Sequence, residues 1–233
     1  MLTNHGNGLA ADALLADRWL SFDCYGTLVD WRAGIAQAIE FVAPGKSGQL
    51  LPVYYRHEAE IQAGSFRPYR EVLDEGLRQA LSEFGWSLPQ HQAHVLSESL
   101  PTWPVFDDVG PSLAQVRLAG WKLAILSNVD PDLFAETRKR LPVAIEALIT
   151  AQDVGSYKPA PGHFRRFRQL HQPGVHIHVA QSWLHDIRPA HNLGIPAIWI
   201  NRLGEREETP IAAAVLPELR DLPQTTAKVG EEL

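Results

Sequence analysis

Cysteine is nearly absent from this chain: Cys24 is the only one in 233 residues, which excludes an intrachain disulfide. Long apolar runs are missing too. No stretch reaches the roughly 18 residues that a membrane-crossing helix needs, so no membrane partner is expected. Positive charge is in deficit, with 21 Lys and Arg against 27 Asp and Glu and a net charge of -6. Without a basic run to track a phosphate backbone, nucleic acid is not an expected partner. Internal repeats and low-complexity segments are also lacking. Residues 1–17 lack the basic start of a signal peptide and carry Asp12 and Asp17, so they read as a partly ordered N-terminal tail. A single thiol and no export signal fit a reducing, cytoplasmic setting. What remains is a chain with 45% hydrophobic residues, ample for one generous domain or a core with an insert.

The most informative stretch is Arg18-Trp-Leu-Ser-Phe-Asp23-Cys-Tyr-Gly-Thr27, an apolar run ending in a carboxylate and a Gly-Thr turn. In an open parallel sheet, ligands bind beyond the carboxyl ends of the strands, where a carboxylate can attack carbon or phosphorus. An Asp that merely caps a strand end is the ordinary alternative. Three later segments repeat the pattern: Leu123-Ala-Ile-Leu-Ser127-Asn128, Tyr157-Lys158-Pro159, and His176-Ile-His-Val-Ala-Gln181-Ser182-Trp183-Leu-His185-Asp186. Each places polar groups after a strand or before a helix, so all four can converge at one sheet edge.

Between Trp31 and Trp103 the apolar spacing is helical: Ile35, Ala38, Ile39 and Val42, then Val53 to Ile61, then Val72, Leu73, Leu77, Leu81 and Phe84. Strand-like runs resume at 123–126, 147–150, 176–179 and 197–200. Helices are expected over 109–119, 131–141 and 161–171, with another near the C-terminus after the break at 204–210. This alternation is that of an α/β, doubly wound parallel sheet.

The ordered set Asp23, Ser127, Lys158, Asp186 resembles the haloacid dehalogenase superfamily over about residues 18–202. Phe-Asp23-Cys-Tyr-Gly-Thr, Leu-Ser127-Asn128 and Ile198-Trp-Ile-Asn-Arg202 look like its metal-independent (S)-2-haloacid dehalogenases. The resemblance implies a Rossmann-like core of 18–30 and 105–233, a helical cap of 31–104 inserted after the first strand, a small carboxylic-acid substrate, no cofactor and no metal. Dimers are common among such relatives, so a homodimer is a reasonable expectation without a located interface.

By the same resemblance, Asp23 is the nucleophile, Thr27 donates to it, Lys158 supports its charge and Asp186 holds Lys158 and helps activate water. Ser127 and Asn128 grip the substrate, Tyr25 walls the pocket, and Arg56 swings toward the leaving halide; for Arg56 a surface helix arginine is the alternative. Trp183 replaces an Asn and Phe164 a Tyr usual in these dehalogenases, which leaves the leaving group open; a strained cyclic amine is one alternative. His185 is a candidate substrate contact. His176 and His178 alternate on one strand without a third metal ligand, and Cys24 is expected to pack beneath the first strand. The rival is a magnesium-dependent phosphatase. Such enzymes place a general acid two residues after the nucleophile, where this chain has Tyr25, and an acidic metal ligand where it has Gln181. A non-enzymatic binding protein is the third class, disfavoured by Asp23, Lys158 and Asp186 together.

Overall fold

The computed structural model describes residues 17–207 and 210–233. Of the expected N-terminal tail, residues 1–16 therefore lie outside the described residues. The chain opens with β1 (Arg18–Phe22), passes through α1 (Trp31–Val42), α2 (Ser47–Gln62), α3 (Tyr69–Glu83) and the short α4 (Val95–Ser99), and then returns to alternating structure. There follow α5 (Val109–Leu118), β2 (Lys122–Ser127), α6 (Pro131–Arg138), β3 (Ala147–Thr150), α7 (Ala151–Val154), α8 (Gly162–His171) and β4 (Val175–Ala180). A π-helical turn (Trp183–Ile187) leads to α9 (Arg188–Asn192), β5 (Ala197–Ile200), β6 (Ala214–Leu216) and α10 (Leu222–Glu231).

All pairings in the six-stranded sheet are parallel, in the order β3-β2-β1-β4-β5-β6. The chain winds outward from β1 to β3, then crosses to the other side at β4, so the topological switch lies at β1 and β4, where the crevice of an open sheet forms. In β2 and β4 every residue but the first is buried, as expected when helices cover both faces. Side chains alternate accordingly. Leu20, Phe22, Leu123, Ile125, Ile177 and Val179 join one cluster. Trp19, Ala124, Leu126 and Ala180 join another, with Phe164 and Phe167 of α8.

The helical segment leaves and re-enters the sheet side by side. Asp30 N–H donates to the Pro104 carbonyl at 2.7 Å, Phe106 N–H donates to that of Leu28 at 3.0 Å, and Val29 bridges Val105. Asp30 also caps α1, accepting from Ala33 N–H at 3.0 Å. Gly34 is required by close packing: a Cβ there would lie 2.1 Å from Trp103 Cγ. Asp130, buried just beyond β2, ties this segment to the sheet. Its oxygens accept from the first backbone N–H groups of α3, Tyr69 at 2.8 Å and Arg70 at 2.9 Å, where a helix N-terminus favours an anion.

The expected strands match to within a residue at each end. The unanticipated strand is β6, a three-residue edge strand whose central Val215 is 55% exposed; so short a half-exposed run carries no period-2 pattern. On α2, the expected apolar positions Val53 and Ile61 are only partly buried. The buried residues are instead Leu50, Tyr54, His57 and Glu58.

Candidate active site

Asp23 follows the last residue of β1 and keeps the sheet's direction, its N–H donating to the Val179 carbonyl at 3.1 Å. The chain then reverses sharply. Leu28 and Val29 N–H groups both donate to the Cys24 carbonyl, and Gly26 takes a φ of +109°, a conformation glycine tolerates best. Space is short there as well: a Cβ on Gly26 would lie 3.0 Å from Gln181 Oε1. This turn brings Thr27 Oγ1 back to donate to Asp23 Oδ2 at 3.1 Å, while accepting from Gln181 N–H at 2.9 Å. Cys24 is fully buried, and burial pushes its thiol well above the usual range.

Lys158 connects the two halves of the switch. Its Nζ donates to Asp23 Oδ1 at 2.9 Å, to Asp186 Oδ1 at 2.5 Å and to the Leu126 carbonyl at 2.8 Å. An ammonium has three donors, so all are used, and the side chain is 1% exposed. Burial alone would lower the Lys158 pKa; Asp186 and Asp23 outweigh it and hold the ammonium protonated. Burial also acts on the two acids. For Asp186, Lys158 and His178 overcome it and bring the carboxyl to about 2. At Asp23 burial prevails over Lys158, and the nearby Asp186 charge adds to it, so that carboxyl is raised.

A cavity of about 470 Å³ opens over this cluster, and Asp23, Tyr25, Ser127, Asn128, Lys158, Trp183, His185 and Asp186 all line it. Their polar groups are not equally available. Asn128 spends its amide on the lysine's backbone: Oδ1 accepts from Lys158 N–H at 2.7 Å, and Nδ2 donates to the Lys158 carbonyl at 3.2 Å. Its side-chain amide is thus a clamp on Lys158, while the residue itself lines the cavity. Tyr25 Oη lies 2.9 Å from Thr137 Oγ1. Ser127 is buried, and its carbonyl accepts from His163 Nε2 at 3.1 Å. In the π-helical turn, His185 Nδ1 lies 3.0 Å from Ser182 Oγ, and burial lowers the imidazole pKa. Trp183 packs against Trp199, ring centroids 4.8 Å apart.

Arg56 does not reach the cavity. It is half exposed, and its Nη2 donates to both Glu83 oxygens, at 2.7 and 2.8 Å. The reason is helical phase. Tyr54 and Glu58, four residues apart, share the inward face of α2, and Arg56, two residues from each, is turned by about 200° to the outside. The arginines that do line the cavity are Arg32 and Arg188, both exposed. The motif reading missed Arg32, although it follows the Asp30 cap and Trp31 directly.

Two further groups were hidden in the sequence. Glu58 lines the cavity while 8% exposed; it accepts from Tyr69 Oη at 2.6 Å, and burial raises its pKa to about 7. Its signal was only a carboxylate one helical turn from Tyr54 on a face read as apolar. His178 places Nε2 at 3.0 Å from Asp186 Oδ1 and Nδ1 at 2.8 Å from Ser21 Oγ, which lies 2.7 Å from His176 Nε2. Period-2 alternation puts both histidines on one face of β4. Among the described residues, no group of three or more His, Cys, Asp or Glu is disposed to hold a metal ion, nor is any helix long and apolar enough to cross a membrane.

The chain is similar to known proteins in sequence and in fold. A family model for haloacid dehalogenase-like hydrolases matches residues 18–180. An (S)-2-haloacid dehalogenase from Pseudomonas putida is 26% identical over 78% of this chain and 83% of its own length. A phosphoserine phosphatase from Thermus thermophilus is 30% identical over 66% of this chain and 61% of its own. A solved L-2-haloacid dehalogenase superposes with a TM-score of 0.81 at 26% identity, over 91% of this chain and 99% of the other.

Proposed function

The chain belongs to the haloacid dehalogenase-like hydrolase family, and from that premise we propose that it hydrolyses a small 2-substituted carboxylic acid at its α carbon, through an ester on Asp23. The observation that carries this reading is Lys158 Nζ seated between Asp23 Oδ1 and Asp186 Oδ1, at 2.9 and 2.5 Å, at the switch point of the sheet.

In the first step an Asp23 oxygen forms a bond to the α carbon as the leaving group departs with its electron pair from the opposite side, inverting that centre. Lys158 favours the ionised form of the nucleophile against the effect of burial, and Thr27 fixes one of its oxygens. In the second step water attacks the Asp23 carbonyl carbon, and the tetrahedral adduct collapses to free Asp23 and a 2-hydroxy acid. Asp186 holds Lys158 in place and helps orient that water. Residues 31–104 act as a cap over the core, with Trp31 and Arg32 at its contact with the cavity. Ser127 and the neighbouring backbone receive the substrate carboxylate, and Tyr25, Trp183 and His185 wall the rest.

Magnesium, used by phosphatases on this scaffold, does not fit the donor set. The ammonium of Lys158 stands between Asp23 and Asp186, and Gln181 presents a neutral amide where an acidic ligand is usual. Tyr25, its hydroxyl tied to Thr137 and its pKa pushed well up by burial, also makes a poor general acid.

Turnover of 2-chloro acids in oxygen-18 water, followed by mass spectrometry of the peptide bearing Asp23, tests the proposal. Label should enter Asp23, turnover should survive EDTA, and Asp23→Asn should abolish it in a folded protein. Magnesium-restored hydrolysis of phosphate esters, with no 2-substituted acid consumed, would overturn the reading.

A further inference from the structure

Glu58 is the buried carboxyl of the cavity for which, among the described residues, no basic side chain lies within ion-pair distance. Asp23 and Asp186 share Lys158, whereas Glu205 and Glu207 are exposed where they line the cavity. Glu58 Oε1 accepts from Tyr69 Oη at 2.6 Å and from Gln62 Nε2 at 3.3 Å, while Oε2 accepts nothing among the described residues. Arg32, the arginine of residues 31–104 that lines the cavity, turns its guanidinium over the rings of Trp31 and Tyr55, at 5.1 and 5.4 Å from their centroids.

A buried carboxyl without a cation costs stability. This one is held at a cavity wall with one oxygen uncommitted, so a ligand can supply what the protein does not. A ligand with only a carboxylate and an apolar chain leaves Glu58 unmatched, but one that also bears a protonated amine forms a charge-assisted hydrogen bond there. We propose that Glu58 receives the ammonium group of the substrate, so that the site takes 2-substituted carboxylic acids that also carry a basic nitrogen. The inference rests on the small-carboxylic-acid reading of the site and narrows its substrate class.

The test separates the two claims. Full-length Asp23→Asn protein, unable to turn over, is titrated calorimetrically with racemic 3-amino-2-hydroxypropanoate and with racemic 2-hydroxybutanoate. These have the same heavy-atom skeleton, with ammonium replaced by methyl. The amino ligand should bind roughly ten- to a hundredfold more tightly, the range of a hydrogen bond to a charged group. Adding Glu58→Gln, which keeps an oxygen for Tyr69, should bring the ratio close to one. Equal affinities in the Asp23→Asn protein, or a ratio that survives Glu58→Gln, would overturn the assignment. In parallel, the unmutated enzyme is assayed for chloride release from 3-amino-2-chloropropanoate and 2-chlorobutanoate, the former expected to have the higher kcat/KM. If neither releases chloride, the hydrolytic reading falls, and the binding ratio still decides the role of Glu58.

Discussion

Replacing Glu58 with Gln should flatten part of the protein's pH-dependent stability. In the unfolded chain this carboxyl titrates near 4.5, and in the fold, burial raises it to about 7 against the weaker pull of the Tyr69 hydroxyl. Below the lower value both states are protonated and the group contributes no pH dependence. Between the two, the unfolded chain gives up its proton and the folded one keeps it, so stability falls as pH rises. Above about 7 the penalty is complete. At 1.36 kcal/mol per pH unit, the gap between 4.5 and about 7 amounts to about 3 kcal/mol. Buried histidines slope the other way: His163 is brought down to about 4 and His176 to about 3, both chiefly by burial, so their contribution grows with pH. The quantity to measure is therefore the difference between Glu58→Gln and the parent protein in urea unfolding at pH 4.5 to 8, where those common slopes cancel. That difference should shift in favour of the variant by about 3 kcal/mol over the range. A difference constant to within about 0.5 kcal/mol would refute the claim that Glu58 enters the fold with a raised pKa.

Three other outcomes follow from the site. Lys158→Met leaves Asp23 and Asp186 buried without their cation, so a stability loss of about 3 to 5 kcal/mol in denaturant unfolding and a loss of turnover of roughly a hundred- to a thousandfold or more are expected; near-normal rates would return Lys158 to a structural role. Its neighbour Tyr157 donates to the Arg67 carbonyl at 2.7 Å, so Tyr157→Phe should cost about 1 kcal/mol and leave turnover within a few-fold. Arg56→Ala breaks an exposed pair with Glu83, worth about 0 to 1 kcal/mol, and a large drop in kcat would show that the cap rearranges to bring Arg56 to the substrate.

The sequence was most legible where chemistry and chain direction coincide. Asp23 and Asp186 follow a buried strand and Ser127 ends one, so assigning the strands also placed the residues at one edge, and Lys158 was visible because a lone lysine precedes a proline there. Legibility failed on the helical segment. Apolar spacing on α2 is ambiguous, because Leu50, Tyr54 and the two polar residues His57 and Glu58 are the ones that turn inward, and the phase of a helix depends on what packs against it. An error of two residues in that phase exchanges Arg56 for Glu58, turning an expected cation in the pocket into an anion. β6 was missed for a related reason: with three residues, one of them largely exposed, its pairing with β5 is a tertiary fact.

The departures from the dehalogenase pattern also acquire a physical sense around Asp186. Phe164, where a tyrosine is usual, is fully buried and packs edge-on against His178, ring centroids 4.8 Å apart. Asp186 takes its polar contact on that side from His178 of β4. Hydrogen-bond accounting then selects one arrangement of protons along the chain beneath the site. If His178 Nε2–H donates to Asp186 Oδ1, its Nδ1 accepts from the Ser21 hydroxyl, and Ser21 Oγ in turn accepts from His176 Nε2–H. The atom left over is His176 Nδ1, buried and without a partner, as a bare acceptor nitrogen. In the reverse arrangement that nitrogen would carry a buried proton with no acceptor, and His178 Nε2 would turn a lone pair toward the Asp186 carboxylate; both are costly. The favoured order directs every donor along the chain toward Asp186. The acid that anchors Lys158 is thus held by a cation on one side and by a three-residue relay on the other, and a single apolar substitution at Ser21 would break that relay without touching the cavity.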